Sequence, residues 1–360
     1  MKKAFQIIGI CLLALLVLAG AYVGYVFLAY HRIEDRQTLA VQSDTARAME
    51  PAQTYTLLSW NIGFGAYTQD FSFFMDGGTQ SWAESEPALQ ENLTAIGQLL
   101  TAQQADLVLL QEVDVDSTRT YHVDEREVLL RQYGTQGRSC VFAQNYDSPF
   151  LLYPFTQPHG ASKSGLVTAA DFAVSSAQRR SLPLEGGFRK LLDLDRCYSV
   201  SRIPVQNGKE LCLYNLHLSA YTSDGSIADE QLRLVLADMQ AEYEAGNYVI
   251  GGGDFNKDLL PGGSEAWFGV SLEGYSWAQP IRTELLEGTG LQLAAPLDPE
   301  QPVPSCRNAD APYGTPGQLL LTVDGFLISA NIQAAEASVL DTAFACSDHN
   351  PVLLRFQLEG

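Results

Sequence analysis

The chain has 360 residues, with 22 Lys and Arg against 42 Asp and Glu, and a net charge of −20. That average field repels polyanions and works against the Lys and Arg contacts on which duplex DNA binding relies. Apolar residues make up 46%, enough for a core that needs no staples, and the six scattered cysteines show no metal-ligand spacing.

At the N-terminus, Lys2 and Lys3 precede an uncharged run over residues 4–30. The run exceeds the roughly 20 apolar residues that cross a bilayer and the roughly 7–15 of a signal-peptide core. Residues 1–30 are therefore expected to form a cytoplasmic tip and an uncleaved transmembrane anchor. Cleavage near the small residues 18–21 is the alternative. The two lysines favour a cytoplasmic N-terminus in a single-pass cell-membrane protein, with the rest of the chain outside the cytoplasm, although Arg32 and Arg36 pull the other way. Residues 31–53 read as a polar stalk with some helix over 38–49, and residues 54–360 as one catalytic domain. Outside the cytoplasm one or two disulfides are permitted, and buried free thiols fit equally well.

Within that domain, residues 55–60 and 106–111 are short β-rich runs. Between them Leu89, Leu93, Ile96, Leu99 and Leu100 recur at helical spacing behind Pro87, which suits a first turn. Residues 197–205 and 210–218 flank Asn207-Gly208, the best hairpin turn in the chain. A helix over 230–243 turns Leu232, Val235, Leu236 and Met239 inward and leads into a strand over 248–251. Residues 319–329 and 352–358 supply further strands, while 261–316 is rich in Gly and Pro and reads as long loops. Strands with a few interspersed helices predict a mixed sheet covered by helices.

Polar residues cluster where these strands end. Asn61 closes the first, Glu112 the second and His217 the return strand of the hairpin, while Asp254 and Asn256 follow the next. Asp348 and His349 stand side by side just before the last strand, where a turn exposes side chains. Glu112 and Asp348 are hard oxygen ligands without cysteine partners, which favours Mg²⁺, or else Mn²⁺ or Ca²⁺, over Zn²⁺. Two histidines can move protons or bind phosphate near neutral pH. With no Ser or Cys nucleophile in an elbow motif, the set suits attack by water on a phosphate ester. Asp114 and Asp116 read as solvated loop acids. Trp82, Trp267 and Trp277 read as packing residues, with a substrate groove as the alternative.

In order and spacing, Asn61, Gln111-Glu112-Val113, Asn215-Leu216-His217-Leu218, Gly253-Asp254-Phe255-Asn256, Asp324 and Ser347-Asp348-His349 resemble the endonuclease/exonuclease/phosphatase superfamily over about residues 55–358. The resemblance implies a DNase I-like four-layer α/β sandwich of two packed mixed sheets. It implies that Glu112 is the principal metal ligand, aided by Asp348 and Asn61. His217 and Asn256 would act at the phosphate and leaving group, and Asp254 would orient the water. Asp324 would orient His349; the general base, Asp254 or His349, stays open. Lys163 and Arg307 are candidate phosphate contacts. Gly325 replaces the aromatic that often follows the orienting Asp. No Trp-x-Asp-Arg motif lies near Asp324, which counts against inositol polyphosphates. The expected function is a Mg²⁺-dependent phosphoesterase, with a phosphodiesterase acting on a phospholipid head group or small phosphodiester as the preferred reading and no protein partner implied. A membrane-anchored nuclease is the runner-up. A non-catalytic binding protein of the same fold is the alternative of another class.

Overall fold

The computed structural model describes all residues except 30, 185–194, 221–225 and 276. Side-chain alternation sets its layers. Leu57 turns to one apolar cluster while Leu58 and Trp60 turn to another. Leu107 and Leu109 follow the first direction, Val108 and Leu110 the second. Both faces of these strands are covered, so they read as near-continuous apolar runs.

In chain order the strands are β1 (Gln37–Thr38), β2 (Val41–Ser43), β3 (Thr54–Asn61), β4 (Leu107–Asp114), β5 (Ser139–Leu151), β6 (Gly160–Ala170), β7 (Ser176–Ser181) and β8 (Cys197–Pro204). There follow β9 (Glu210–His217), β10 (Tyr248–Asp254), β11 (Leu291–Ala294), β12 (Cys306–Arg307), β13 (Leu320–Leu321), β14 (Asp324–Ser329), β15 (Ile332–Val339) and β16 (Val352–Leu358). One seven-stranded sheet has the order β15-β16-β3-β4-β6-β5-β2, the other β1-β7-β8-β9-β10-β14-β11. Strands β12 and β13 pair by themselves. Leu57, Leu109, Leu213, Ile250, Phe326 and Val352 meet between the sheets.

Helices close the two outer faces. α1 (Lys2–Ala29) stands at the N-terminus; α2 (Glu86–Gln103) and α3 (Glu125–Tyr133) pack on the β3–β4 sheet through Leu89, Leu93, Ile96 and Leu129. α4 (Ser226–Glu244) covers the β9–β10 sheet through Leu232, Val235, Leu236 and Met239. The short α5 (Ser264–Phe268) interrupts the expected loop region. The result is the expected four-layer α/β sandwich. The Ser85 side chain starts α2 by accepting a hydrogen bond from the Ala88 N–H at 3.2 Å, with Pro87 inside the first turn.

By length and composition α1 can cross a membrane, and Val26 is its buried residue. Residues 31–53 do not form a free stalk, and no helix forms over 38–49. β1 extends one sheet by pairing with β7, β2 extends the other by pairing with β5, and Met49 is fully buried. The Arg179 guanidinium donates to the carbonyl of Glu34 at 3.1 Å, which ties this segment down further. All six cysteines are free, and five of them are buried.

Strand direction decides where the polar residues go. β3 runs parallel to β4, and β9 parallel to β10, so Asn61, Glu112, His217 and Asp254 share one edge. β16 is antiparallel to β3 and β14 antiparallel to β10, which brings the starts of both to that edge: Asp254 faces Asp324 directly, and Val352 faces Ser59.

Candidate active site

At this edge local backbone distortions aim the side chains. The β4–β6 register slips between Leu110 and Val113, and Glu112 takes a φ of 55°, rare for a residue with a Cβ. Such strain persists only where the surroundings impose it. Gly253 lets β10 approach β9: a Cβ there would sit 2.0 Å from the Leu216 carbonyl oxygen. A Cβ at Gly63 would sit 2.9 Å from Asp348 Oδ1, so the chain leaving β3 must be glycine for the acid to fit. The turn carrying Asp348 and His349 is pinned to β3. Ser347 Oγ donates to the Asn61 carbonyl at 2.8 Å, and the Trp60 indole donates to the His349 carbonyl at 2.8 Å.

Asn61 joins the two sheets at this edge. Its Nδ2 donates to Glu112 Oε1 and to Asp254 Oδ2, each at 3.1 Å, and its Oδ1 accepts from the Gly63 N–H. In this orientation Asn61 positions the two acids and does not present its oxygen as a ligand. Asp254 Oδ1 accepts from the Asn256 N–H at 2.8 Å, and Asn256 Nδ2 donates to the Leu218 carbonyl. His217 Nε2 lies 3.5 Å from Asp254 Oδ2 and 3.7 Å from Glu112 Oε1. Burial holds the His217 imidazole well below its usual range, with the Arg196 and His349 charges adding to the effect. It is therefore neutral.

His349 differs. Its Nδ1 donates to Asp324 Oδ2 at 2.8 Å, and Ser305 Oγ fixes that same oxygen at 2.7 Å. Burial opposes a charge on His349, but the Asp324 carboxylate and then Cys306 outweigh it and raise the imidazole well above its usual range. Its Nε2 side lies 3.9 Å from Asp254 Oδ2 and 3.6 Å from Cys306 Sγ. Burial, with the Asp324 charge adding, pushes the Asp254 carboxyl up to about 7 against the pull of His349. Burial also pushes Asp348 up to about 6, with the Glu112 charge adding to it and His349 opposing.

One cleft is lined by Glu112, His217, Asp254, Asn256, Asp348 and His349, and Arg196, Arg307 and Trp277 share its wall. Two buried or half-buried acids facing one cleft with hard oxygen donors fit a divalent cation. Asp254, Asp324 and His349 also place ligand atoms within 4.8 Å of one another. In that trio the Asp324 and His349 atoms already bond each other.

Several sequence expectations change. Lys163 is half-exposed on β6 and lies 3.6 Å from Asp116, away from the cleft wall, because its position on the β5–β6 ribbon faces solvent. Arg307 does reach the wall, but its Nη atoms are occupied by the carbonyls of Thr68, Phe71 and Ala311, so it ties loops together. Asp114 is fully buried, paired with Arg119 through two 2.8 Å bonds, and is no loop acid; Asp116 is exposed. Trp277 lines the cleft, whereas Trp82 bonds the Pro158 carbonyl and Trp267 that of Pro261.

Arg196 escaped the sequence reading. It is 4% exposed, lines the cleft, and leaves Nε and Nη1 buried without a hydrogen-bond partner among the described residues. The hairpin register would have found it: Tyr198 pairs with Leu216, so the same register sets Arg196 across from Leu218, beside His217.

Solved structures share this fold. An endonuclease/exonuclease/phosphatase from Beutenbergia cavernae is 18% identical, with a TM-score of 0.56 over 86% of this chain and 72% of that one. ANGEL2, a 2′,3′-cyclic phosphatase, is 16% identical, with a TM-score of 0.55 over 92% of this chain and 100% of that one. The human Nocturnin catalytic domain is 17% identical, with a TM-score of 0.54 over 89% and 97%. At these identities the likeness is one of fold. No curated protein sequence matches the chain. The model of the Endonuclease/Exonuclease/phosphatase family matches residues 58–349, most of the chain. The chain belongs to the endonuclease/exonuclease/phosphatase family.

Proposed function

We propose that this protein is a divalent-metal-dependent phosphodiesterase, tethered by α1 to the cell membrane with its N-terminus in the cytoplasm and residues 54–360 outside it. Members of the family are hydrolases acting on phosphate esters. The observation that carries the reading is the meeting of Glu112, His217, Asp254 and the Asp324–His349 pair at one sheet edge. Glu112 and Asp348 would hold Mg²⁺, Mn²⁺ or Ca²⁺. When bound, the cation supplies positive charge for the phosphate oxygens.

The chain's own residues divide the remaining work. Asp254, held at both oxygens by Asn61 and the Asn256 N–H, orients the attacking water and takes its proton. His349, fixed through Nδ1 by Asp324, turns Nε2 to the cleft and donates to a phosphate oxygen. His217 and Asn256 fix the ester's position near the leaving group. Arg196 offers Nε and Nη1, both without a hydrogen-bond partner among the described residues, to a non-bridging oxygen. The net charge of −20 places nucleic acid behind lipid or small phosphodiesters as substrate.

The test is hydrolysis of bis-nitrophenyl phosphate by the detergent-purified full chain with Mg²⁺ or Mn²⁺. Asp254→Asn is expected to lower kcat/KM by about a thousandfold. A wild-type chain that turns over neither this ester, sphingomyelin, phosphoinositide nor plasmid would leave a binding protein of this fold. Plasmid nicking abolished by His349→Ala, without lipid turnover, would replace the reading with a nuclease.

A further inference from the structure

The loop joining β5 to β6 is chemically unlike the rest of this acidic surface. Between Asp147 and His159 the sequence Ser-Pro-Phe-Leu-Leu-Tyr-Pro-Phe-Thr-Gln-Pro carries no charge. Its large apolar side chains face outward: Phe155 is 82% exposed and Tyr153 63%, with Phe150 and Leu152 also exposed. Outside α1, few other large apolar residues are exposed among the described residues, and one of them, Met75, lies beside this loop. An apolar patch that water would penalise calls for a covering phase.

The loop is joined to the end of α1. The Tyr22 hydroxyl donates to the Phe150 carbonyl and accepts from the Leu152 N–H at 3.1 Å, and the Tyr25 hydroxyl accepts from the Phe150 N–H at 2.9 Å. A bilayer core takes about 20 helical residues at about 1.5 Å each. Counted from Ala4, the core ends close to Tyr22 and Tyr25, at the interfacial depth where Tyr rings settle. The loop hangs at the level where α1 would leave the hydrocarbon. Just beyond it, His31 pairs with Asp147 at 3.1 Å and Arg32 with Asp195 at 2.9 Å, which keeps the charged surface above that level.

We propose that the β5–β6 loop, led by Tyr153 and Phe155, inserts into the outer interface of the same bilayer that α1 crosses. This rests on the anchor reading of α1. The insertion gives the domain a second, fixed contact with the membrane and sets the orientation of its cleft. The Tyr153 ring packs at a tilt against Phe74, with centroids 5.8 Å apart, Met75 is exposed next to Phe74, and Asp76 lines the cleft. The membrane-facing patch and the cleft rim are thus consecutive along residues 74–76. The cleft then opens next to esters displayed at the bilayer surface.

The experiment uses the full chain with Cys11→Ala, reconstituted into phosphatidylcholine vesicles. Cysteines introduced one at a time at Phe155→Cys, Asn207→Cys and Leu15→Cys carry a nitrobenzoxadiazole fluorophore, and the Cys11→Ala chain, which keeps the five buried thiols, is the labelling blank. The fluorophore at position 155 is expected to be quenched by doxyl groups near the lipid head and shielded from aqueous iodide several times better than that at position 207. Equal iodide quenching at 155 and 207, with position 15 quenched by deep doxyl groups, overturns the insertion and leaves the anchor standing. Iodide access at position 15 overturns the anchor, and the insertion with it.

Discussion

Glu112 and Asp114 sit two residues apart at the end of β4, yet they belong to opposite kinds of site. Asp114 meets the Arg119 guanidinium in a closed, bidentate pair, and Arg119 in turn stacks 3.7 Å over the Phe64 ring. The neighbouring Glu125 accepts from the Asp114 N–H, and burial, with the Asp114 charge adding, raises its carboxyl well above the usual range. Glu112 instead opens into the cleft with Asp348, and no guanidinium forks onto either acid among the described residues. A buried acid whose charge is matched by a fixed side chain is architecture. A group of acids that lacks such a match is arranged for something that binds.

Exchanging the two acids for their amides separates these roles. Glu112→Gln is expected to lower bis-nitrophenyl phosphate turnover by several kcal/mol of barrier, on the order of a thousandfold, while leaving the urea midpoint intact. Asp114→Asn strands the buried Arg119 charge and is expected to cost about 3–5 kcal/mol of stability, with turnover per folded molecule much less affected. If Glu112→Gln unfolds the protein and Asp114→Asn silences it, the distinction between the two acids is wrong.

The two arginines of the cleft wall carry the same comparison to cations. Arg307 has its Nη atoms on three carbonyls and leaves only Nε unpaired, whereas Arg196 leaves both Nε and Nη1 without a hydrogen-bond partner among the described residues. Arg196→Met is expected to lower kcat/KM by about a hundredfold, the scale for losing one donor to a developing negative charge. Its melting temperature should hold, since the variant removes two buried unpaired donors. Arg307→Met should do the reverse, loosening the loops at 68–71 and 311. An Arg196 variant with wild-type kinetics would remove it from the site.

What the sequence made legible follows the same division. Residues whose role depends on strand ends were readable, because β3, β4, β9, β10 and β16 are long, apolar and lead straight into short polar motifs. The edge strands β1 and β2, two and three residues long, were not: that length carries no period, and residues 31–53 read as a stalk. β5 hid because polar residues such as Gln144, Asn145 and Asp147 break up its apolar side. Asp114 looked solvated because its partner arrives on a short 3₁₀ turn at 118–120 that has no signature of its own. Lone arginines are equally mute in sequence. Arg307 was chosen and Arg196 passed over, and only the register of the hairpin and the fate of each guanidinium tell them apart.

The smallest expected effect concerns a buried histidine within reach of the closed pair's charges. His159 is buried at the foot of the β5–β6 loop, packed 5.8 Å from the Phe74 ring, and its Nδ1 has no hydrogen-bond partner among the described residues. Burial first, and then the Arg119 charge, lower its imidazole to about 3. The folded protein keeps His159 neutral at pH values where the unfolded chain, with an ordinary value of 6.5, takes up a proton. Stability from this group is therefore complete above about pH 6.5 and falls as the pH drops towards about 3. Between pH 7 and about 5 the loss is about 2 kcal/mol. Urea titrations of the wild type and of His159→Phe at both pH values isolate that term, since every other titrating group is common to the two. The wild type should lose about 2 kcal/mol more than the variant on acidification. A matched loss would mean that His159 is solvated in the folded protein and that the foot of the β5–β6 loop is open to water.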